Sequence, residues 1–458
     1  MSTIDEILHN QQVHSVLQPI VDLASGSVVA YEALARGPQG SLATPDALFG
    51  AARAGGRLAE LDMECRRAAL RAAVEHGVRS PMWLFVNVEP EVLDHAPMEE
   101  LLSIANGAPH GLQIVLEITE RSLASRPAEL LRTVARLRSA GWRVALDDVG
   151  ADDMSLAFMP LLRPEVVKLD LRLVQERPSP DITAITLAVN AYAEASGAVV
   201  LAEGIETEEH VRLARALGAR LGQGWYYGRP RAGLAQHLPA GRLSLPSSAP
   251  AGSPGSPFAC LPVGTEVRRS TKPLLIEMSK HLERAAVGLG RTCVVLSTFQ
   301  HAQFFTPATT ERYRRLAAQV GFVAAIGEGM PAEPVRSVRG ADLQVFDPVL
   351  GEWDVVVLAP HFAAALLARD LGGTGPDAER EFEFAVTFDR DAVVNAAHGL
   401  LSRIAPAGPV AAPAPVRVAH VPSPRAGGAW VGNSLPASVQ ATSTRRPASH
   451  RSVPPVNR

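Results

Sequence analysis

Cysteine is scarce in this sequence: Cys65, Cys260 and Cys293 are the only three in 458 residues. The count is odd, the spacing is wide, and no pair has zinc-ligand spacing. A disulfide framework is therefore not expected, and a reducing compartment, the cytoplasm, fits. Long hydrophobic runs are also missing. No stretch reaches about 18 uninterrupted apolar residues, so no membrane span is expected. The opening MSTIDEILHNQQVHSVLQPI lacks a basic region followed by an apolar run, so it does not read as a signal peptide. Neither charge sign dominates. The formal net charge is −3, which gives no clear nucleic-acid or membrane partner.

A chain of 458 residues exceeds the size of one packed core, which stops growing at roughly 250–300 residues. Two domains with connecting segments are expected. Residues 13–230 alternate short apolar runs with amphipathic stretches. Strands are predicted over 13–17, 83–88, 112–117, 143–147, 166–169 and 199–203. Helices are predicted over 58–76, 129–140, 182–196 and 208–217. Strands alternating with helices imply a mostly parallel sheet, and the number of units suits a closed α/β barrel. Polar residues recur at the predicted strand ends: Asn87, Glu117, Asp147, Asp148, Lys168 and Glu203. Barrel strands converge on one face at their C-terminal ends, and a carboxylate closing an apolar strand is costly without a partner. The repetition argues for one shared cationic ligand.

Residues 231–257, and in particular 236–257, read as a linker, since LPSSAPAGSPGSP is rich in Pro, Ser and Gly. A second, smaller domain is expected over 258–404, α+β or α/β. Its strands are predicted at 291–297, 354–358 and 381–388, with a helix near 311–320. Residues 405–458 hold six Arg and no Asp or Glu among Pro, Ala and Ser, and read as a disordered basic tail.

The motif Glu32-Ala33-Leu34, with Gln18-Pro19-Ile20-Val21-Asp22 before it and Arg36 after it, begins an ordered series. Phe85-Val86-Asn87-Val88, Glu117-Ile118-Thr119-Glu120 and Asp147-Asp148-Val149-Gly150 follow. Then come Lys168-Leu169-Asp170, Ala202-Glu203-Gly204-Ile205-Glu206-Thr207 and Gln223-Gly224-Trp225-Tyr226. Over residues 13–230, and so for a domain of about 1–235, the series resembles the EAL domain, the cyclic di-GMP phosphodiesterase family. Fold and function follow as expectations: a TIM-like (β/α) barrel, cyclic di-GMP as the bound partner, hydrolysis to linear pGpG, and a homodimer through the barrel. The alternative is a receptor that binds the dinucleotide without cutting it.

The resemblance also implies roles. Glu32, Asn87, Glu117 and Asp147 correspond to ligands of a first Mg²⁺ or Mn²⁺. Asp147 would bridge to a second ion, joined by Asp148, giving two ions per site. Lys168 corresponds to the residue that orients or deprotonates the attacking water. Glu203 corresponds to a further metal-site residue and Gln223 to a positioning residue. Gln18, Arg36 and Asp170 correspond to substrate contacts. Glu120 and Glu206 correspond to residues that hold the active-site loop. The chemistry suits these types, because two divalent ions about 3.5–4 Å apart provide a nucleophile at neutral pH and neutralise phosphoryl charge. Hard ions take oxygen donors. Taken singly, the residues have plainer readings: Asp147-Asp148 as a helix-capping turn, Lys168 as a solvated strand end, Asn87 as a turn residue, Glu203-Gly204 as a loop opening a helix. One stretch departs from the family's pattern. Where a second Gly, an aromatic and a Ser are usual, Asp152, Asp153 and Met154 stand.

Residues 258–404 resemble the DICT domain, a sensory module. The likeness is carried by Arg291-Thr292-Cys293-Val294-Val295, the Phe299, Phe304 and Phe305 region, residues 354–358 and residues 381–390. It implies regulation of the barrel in response to a signal.

Overall fold

The structure is a computed structural model that describes residues 3–89, 111–119, 124–151, 154–247, 255–372 and 376–405. The calls on Glu120, on Asp152 and Asp153, and on the basic tail from residue 406 onward fall outside the described residues.

Eight strands close a barrel in sequence order: β1 (His14–Asp22), β2 (Val28–Arg36), β3 (Trp83–Asn87), β4 (Gln113–Ile118), β5 (Arg143–Val149), β6 (Val166–Leu169), β7 (Val199–Ala202) and β8 (Leu221–Gln223). Its helices are α1 (Ile4–His9), α2 (Pro45–Ala54), α3 (Leu58–Glu75), α4 (Pro127–Ser139), α5 (Met154–Leu162), α6 (Leu171–Gln175), α7 (Pro180–Ser196) and α8 (Glu208–Ala216). Local sequence sets their limits. In α7, Ser179 accepts from the Ile182 amide at the start, Pro180 occupies the first turn, and Gly197 ends the helix at φ +74°.

The pairings from β2 to β8 are parallel, but β1 runs antiparallel to both β2 and β8. The connection from Asp22 to Val28 is a tight turn, in which Asp22 Oδ1 accepts from the Ala24 and Ser25 amides and Gly26 takes φ +69°. A parallel crossover needs a dozen or more residues, so this turn compels a hairpin. The strands β2 and β8 were not among those the apolar runs marked. The motif around Glu32 lies within β2, and β8 is only three residues long.

The expected linker requires a correction. Residues 231–247 belong to the barrel. Arg231 exchanges backbone hydrogen bonds with Leu17, and the Val28 amide donates to Pro239 O. Trp83 Nε1 donates to Leu243 O at 3.0 Å, and Arg143 Nε donates to Pro246 O at 2.8 Å. Leu243 and Leu245 are buried with Ile20, Phe85, Val115 and Leu221, filling the end of the barrel where β3 and β5 begin. A Pro- and Ser-rich segment can make these contacts as extended chain, with no helix or ladder of its own.

The second domain is one mixed sheet in the order β12-β11-β10-β13-β14-β15-β9. Its strands are β9 (Arg268–Thr271), β10 (Val294–His301), β11 (Phe322–Glu328), β12 (Arg339–Asp342), β13 (Glu352–Ala359), β14 (Phe362–Asp370) and β15 (Glu381–Thr387). Its helices are α9 (Lys272–Leu289), α10 (Pro307–Ala317) and α11 (Arg390–Leu401). The strand expected from residue 291 starts only at Val294, because Gly290–Thr292 form a 3-10 turn. Apolar residues alternate along β10 and β13. Val295, Val355 and Val357 share a core with Leu282 and Leu316 of α9 and α10. Val294, Leu296, Val356 and Leu358 share a core with α11 and with Phe158 and Leu161 of α5. The inner face of the sheet is thus continuous with the barrel's outer layer.

That seam contains His398. Its Nε2 donates to Leu161 O at 2.6 Å. Burial lowers its pKa from 6.5 to about 4, aided by the nearby guanidiniums of Arg163 and Arg138 and opposed by the Leu161 carbonyl. The folded value lies below the unfolded one. The neutral ring's contribution is therefore whole above pH about 6.5 and is lost as pH falls towards 4, a loss of about 3 kcal/mol. Urea denaturation between pH 7.5 and 4 should show that loss, and His398→Gln should flatten this part of the profile. An unchanged slope in the variant would contradict the assignment.

Candidate active site

The rim formed by the ends of β2 to β8 collects the residues that the motifs single out. The register aligns Asn87 with Glu117, and Gln18 with Glu32. Lys168 is at the centre, with 1% of its side chain exposed. Its Nζ lies 2.6 Å from Glu117 Oε1, 2.9 Å from Asp147 Oδ1, 2.9 Å from Glu203 Oε1 and 3.8 Å from Glu32 Oε1. Glu32 is held from its other sides: Asn87 Nδ2 donates to Oε1 at 2.9 Å and Gln223 Nε2 to Oε2 at 2.5 Å. Gln223 Nε2 also reaches Gln18 Oε1 at 3.1 Å, and Gln18 Nε2 donates to Gly228 O.

Two neighbouring aspartates cannot both face one site from a regular strand, since successive side chains point to opposite faces. Asp148 resolves this by adopting φ +53°, a left-handed conformation that Asp tolerates better than most residues. The register between β5 and β6 shifts between Leu146 and Val149 accordingly. Carboxylate oxygens of Asp147, Asp148 and Glu203 then lie within 4.8 Å of one another. The close approach of β8 to the Glu203 loop depends on Gly224. At its φ of +155° a Cβ would stand 2.1 Å from Ile205 O.

Electrostatics sharpen the picture. Burial alone would lower the Lys168 pKa, but Asp147, Glu117, Glu203 and Glu32 outweigh it and hold the ammonium charged. Glu117 is pushed well above the usual carboxylate range, first by burial and then by the Glu32 charge. Glu203 is pushed up to about 8, first by burial, with the Asp147 and Glu32 charges adding and Lys168 opposing. For Glu32, burial works in the same upward direction, but Lys168 and the Gln223 and Asn87 amides overcome it, and its pKa is lowered. Four carboxyl groups thus face one ammonium. Glu117 Oε2 and Gln223 Oε1 are buried with no hydrogen-bond partner among the described residues. This is an oxygen-donor set with negative charge in excess and acceptors to spare, and it suits hard divalent cations.

Other expected residues lie apart from the cluster. Asp170 caps α6, accepting from the Arg172 amide at 3.0 Å and from Arg172 Nε at 2.9 Å. Arg36, at the end of β2, donates to Ala35 O. Glu206 is exposed, and its amide donates to His210 Nδ1. Arg172 was passed over in the sequence. It holds Asp170 and donates to Gly150 O at 3.2 Å, so it ties the segment after Asp148 to the segment after Lys168. A cation two residues past Asp170 was the available signal. Trp225 and Tyr226 are half-exposed beyond Gln223, with the Arg229 guanidinium 3.8 Å from the Trp225 ring centre.

A closed barrel with an antiparallel first strand, and a lysine-centred oxygen-donor cluster at its rim, defines a (β/α)-barrel protein with an acidic site at one end. The EAL domain family matches residues 1–230, half of the chain, and the chain belongs to that family. The family described as "Sensory domain in DIguanylate Cyclases and Two-component system" (DICT) matches residues 262–371. "Probable cyclic di-GMP phosphodiesterase PdeB" of Escherichia coli (strain K12) is 30% identical over 231 residues, 49% of this chain and 44% of that protein. Cyclic di-GMP phosphodiesterase RocR of Pseudomonas aeruginosa is 35% identical over 154 residues, 33% of this chain and 39% of that protein. Among solved structures, a Klebsiella pneumoniae BlrP1 complex with manganese and cyclic di-GMP is 30% identical, with a TM-score of 0.44, covering 49% of this chain and 57% of that one. The chain spans less than half the length of the curated relatives it matches.

Replacing the central cation tests the cluster. Lys168→Met leaves the buried carboxylates uncompensated, and in chelator the protein should lose about 3–5 kcal/mol of stability. Excess Mn²⁺ should restore part of it. Equal urea midpoints for parent and variant in chelator would contradict this arrangement.

Proposed function

We propose that the barrel hydrolyses one phosphodiester of cyclic di-GMP, giving linear pGpG, and that it works with two Mg²⁺ or Mn²⁺ ions. The observation that carries this reading is the cluster in which Glu32, Glu117, Asp147 and Glu203 converge on Lys168. Membership of the EAL family and relatives named as cyclic di-GMP phosphodiesterases support it.

Glu32, Asn87, Glu117 and Asp147 would hold one ion, and Asp147 with Asp148 the other, with Glu203 beside them. Bound there, such ions supply a nucleophile at neutral pH and offset the charge on the phosphoryl oxygens. The chain's own residues do the rest. Lys168, held charged within 2.9 Å of both Asp147 and Glu203, is placed to orient the attacking water. Gln223 and Gln18 fix Glu32 through their amides. Arg36 offers a guanidinium fork to a phosphate, and Asp170 serves as a further substrate contact. Glu206 steadies the loop after β7. The hydrolytic unit runs from residue 1 to 247 rather than to 235, because residues 239–246 close the barrel floor. The second domain regulates it, and the protein acts in the cytoplasm as a homodimer.

Purified full-length protein with cyclic di-GMP and Mn²⁺ should form pGpG, read by chromatography. Asp147→Ala should slow this by a factor on the order of a thousand. Binding of the dinucleotide with no pGpG formed would make the barrel a receptor and overturn the hydrolytic reading.

A further inference from the structure

The second domain buries two carboxyl groups side by side. Alternate side chains of a strand share a face, so Glu352 and Asp354 of β13 point the same way as the core residues Val356 and Leu358. Glu352 is 3% exposed and Asp354 0%. The cations on this face have other partners. Arg369 of β14, opposite Glu352 in register, pairs with Glu383 of β15. Arg403, just past α11, pairs with Asp347 at 2.8 Å. Asp354 Oδ1 is buried with no hydrogen-bond partner among the described residues. From β10 comes Thr298, whose hydroxyl has one proton for two acceptors, Glu352 O at 3.1 Å and Asp354 Oδ2 at 3.4 Å. Asp354 is thus poorly provided for as an anion. Burial raises its pKa well above the usual carboxylate range, the Glu352 charge adds to this, and the Ala368 amide and the Thr298 hydroxyl oppose it. Burial also raises Glu352, against the Ser256 hydroxyl and the Phe258 amide. Two touching carboxyl groups with no cation between them titrate as a pair, and the second ionisation is strongly disfavoured.

A short lid closes over the pair. The 3-10 turn Phe258–Cys260 packs on β14 and α11. Its grip on β13 runs through one carboxylate: Glu352 Oε2 accepts from the Phe258 amide at 3.1 Å. Around that bond, Arg403 donates to Gly255 O at 2.8 Å, and the Arg369 guanidinium lies 4.9 Å from the Phe258 ring centre. Cys260 is the turn's own titratable group. Burial, then the Asp354 and Glu352 charges, push its thiol up to about 12, so it stays neutral and the proton count belongs to the pair. A charge on Asp354 would stand against Glu352 with nothing to offset it. Water is the available relief, and it enters only where the lid lifts.

We propose that Glu352 and Asp354 form a proton-binding site in the second domain, which keeps residues 256–260 closed over the sheet while the pair shares one proton and frees them when that proton is lost. The signal is then the proton itself, in a domain whose family is described as sensory. This goes beyond the hydrolysis of cyclic di-GMP and does not rest on it. An acid with a raised pKa in the closed form binds its proton more tightly there, so closure is whole at low pH and is lost as pH rises.

Amide exchange of the full-length protein tests this, corrected for the intrinsic effect of pH on exchange. It is followed in residues 256–261 and in β11, at pH about 6 and about 9. In the parent, protection of residues 256–261 should fall by about tenfold or more at the higher pH, with β11 unchanged. Alkylation of Cys260, scaled to a free thiol at the same pH and located by mass spectrometry, should rise in parallel. Asp354→Asn removes the second ionisation and should keep the segment protected at both pH values. Asp354→Leu, which continues the apolar face of β13, should do the same and guards against an Asn that packs badly. Equal protection of the parent at both pH values would overturn the proposal. So would a fall that persists in both variants, which places the titration elsewhere, or one shared by β11, which is unfolding of the whole domain.

Discussion

A charged amine buried among carboxylates is the constraint on which the rest of the site turns. Lys168 is one of only three lysines in the sequence, and its side chain is almost fully enclosed. An isolated ammonium there would be neutral or would destabilise the fold by several kcal/mol. Its charge survives because Glu117, Asp147 and Glu203 stand within 2.9 Å. The converse also holds. Those carboxylates would repel one another without a cation, and the raised pKa of Glu117 and Glu203 expresses the part of that repulsion and burial that one ammonium does not relieve. An uncompensated acidic cluster of this kind is what divalent ions bind.

The barrel supplies the geometry. Each strand delivers one or two donors to the same rim, and the hairpin of β1 and β2 brings Gln18 beside Glu32 in register. The left-handed Asp148 brings two successive carboxyl groups to one rim. At the opposite end, Leu243 and Leu245 fill the interior. The two ends thus divide the labour, with packing at one and chemistry at the other. The second domain adds cover to α5, directly downstream of the aspartates.

Much of this was legible in the residues. Apolar runs marked the cores of β3 to β7, because buried parallel strands read as continuous hydrophobic stretches. The cluster around Lys168 was legible from ordered motifs at strand ends. The floor segment 231–247 was not. Pro and Ser composition signals the absence of regular structure, and extended chain that packs through Leu243, Leu245 and two carbonyls gives no periodic signal. The direction of β1 depended on a short turn at Asp22 and Gly26, which the apolar pattern does not encode. In the second domain, strands such as β11 and β14 were overlooked. Alanines fill much of them, and alanine carries little strand preference. The seam at α5 involves pairs far apart in the chain, Phe158 with Phe322 and Leu161 with His398, which no local pattern reveals.

The central claim is that these oxygen donors grip a pair of cations beside Lys168. Anomalous diffraction from crystals of the full-length protein grown with Mn²⁺ tests it most directly. Expected are two Mn²⁺ peaks about 2 Å from ligand oxygens, one on Glu32, Asn87, Glu117 and Asp147, the other on Asp147 and Asp148. Peaks elsewhere on the protein, or an empty rim at saturating Mn²⁺, would contradict it.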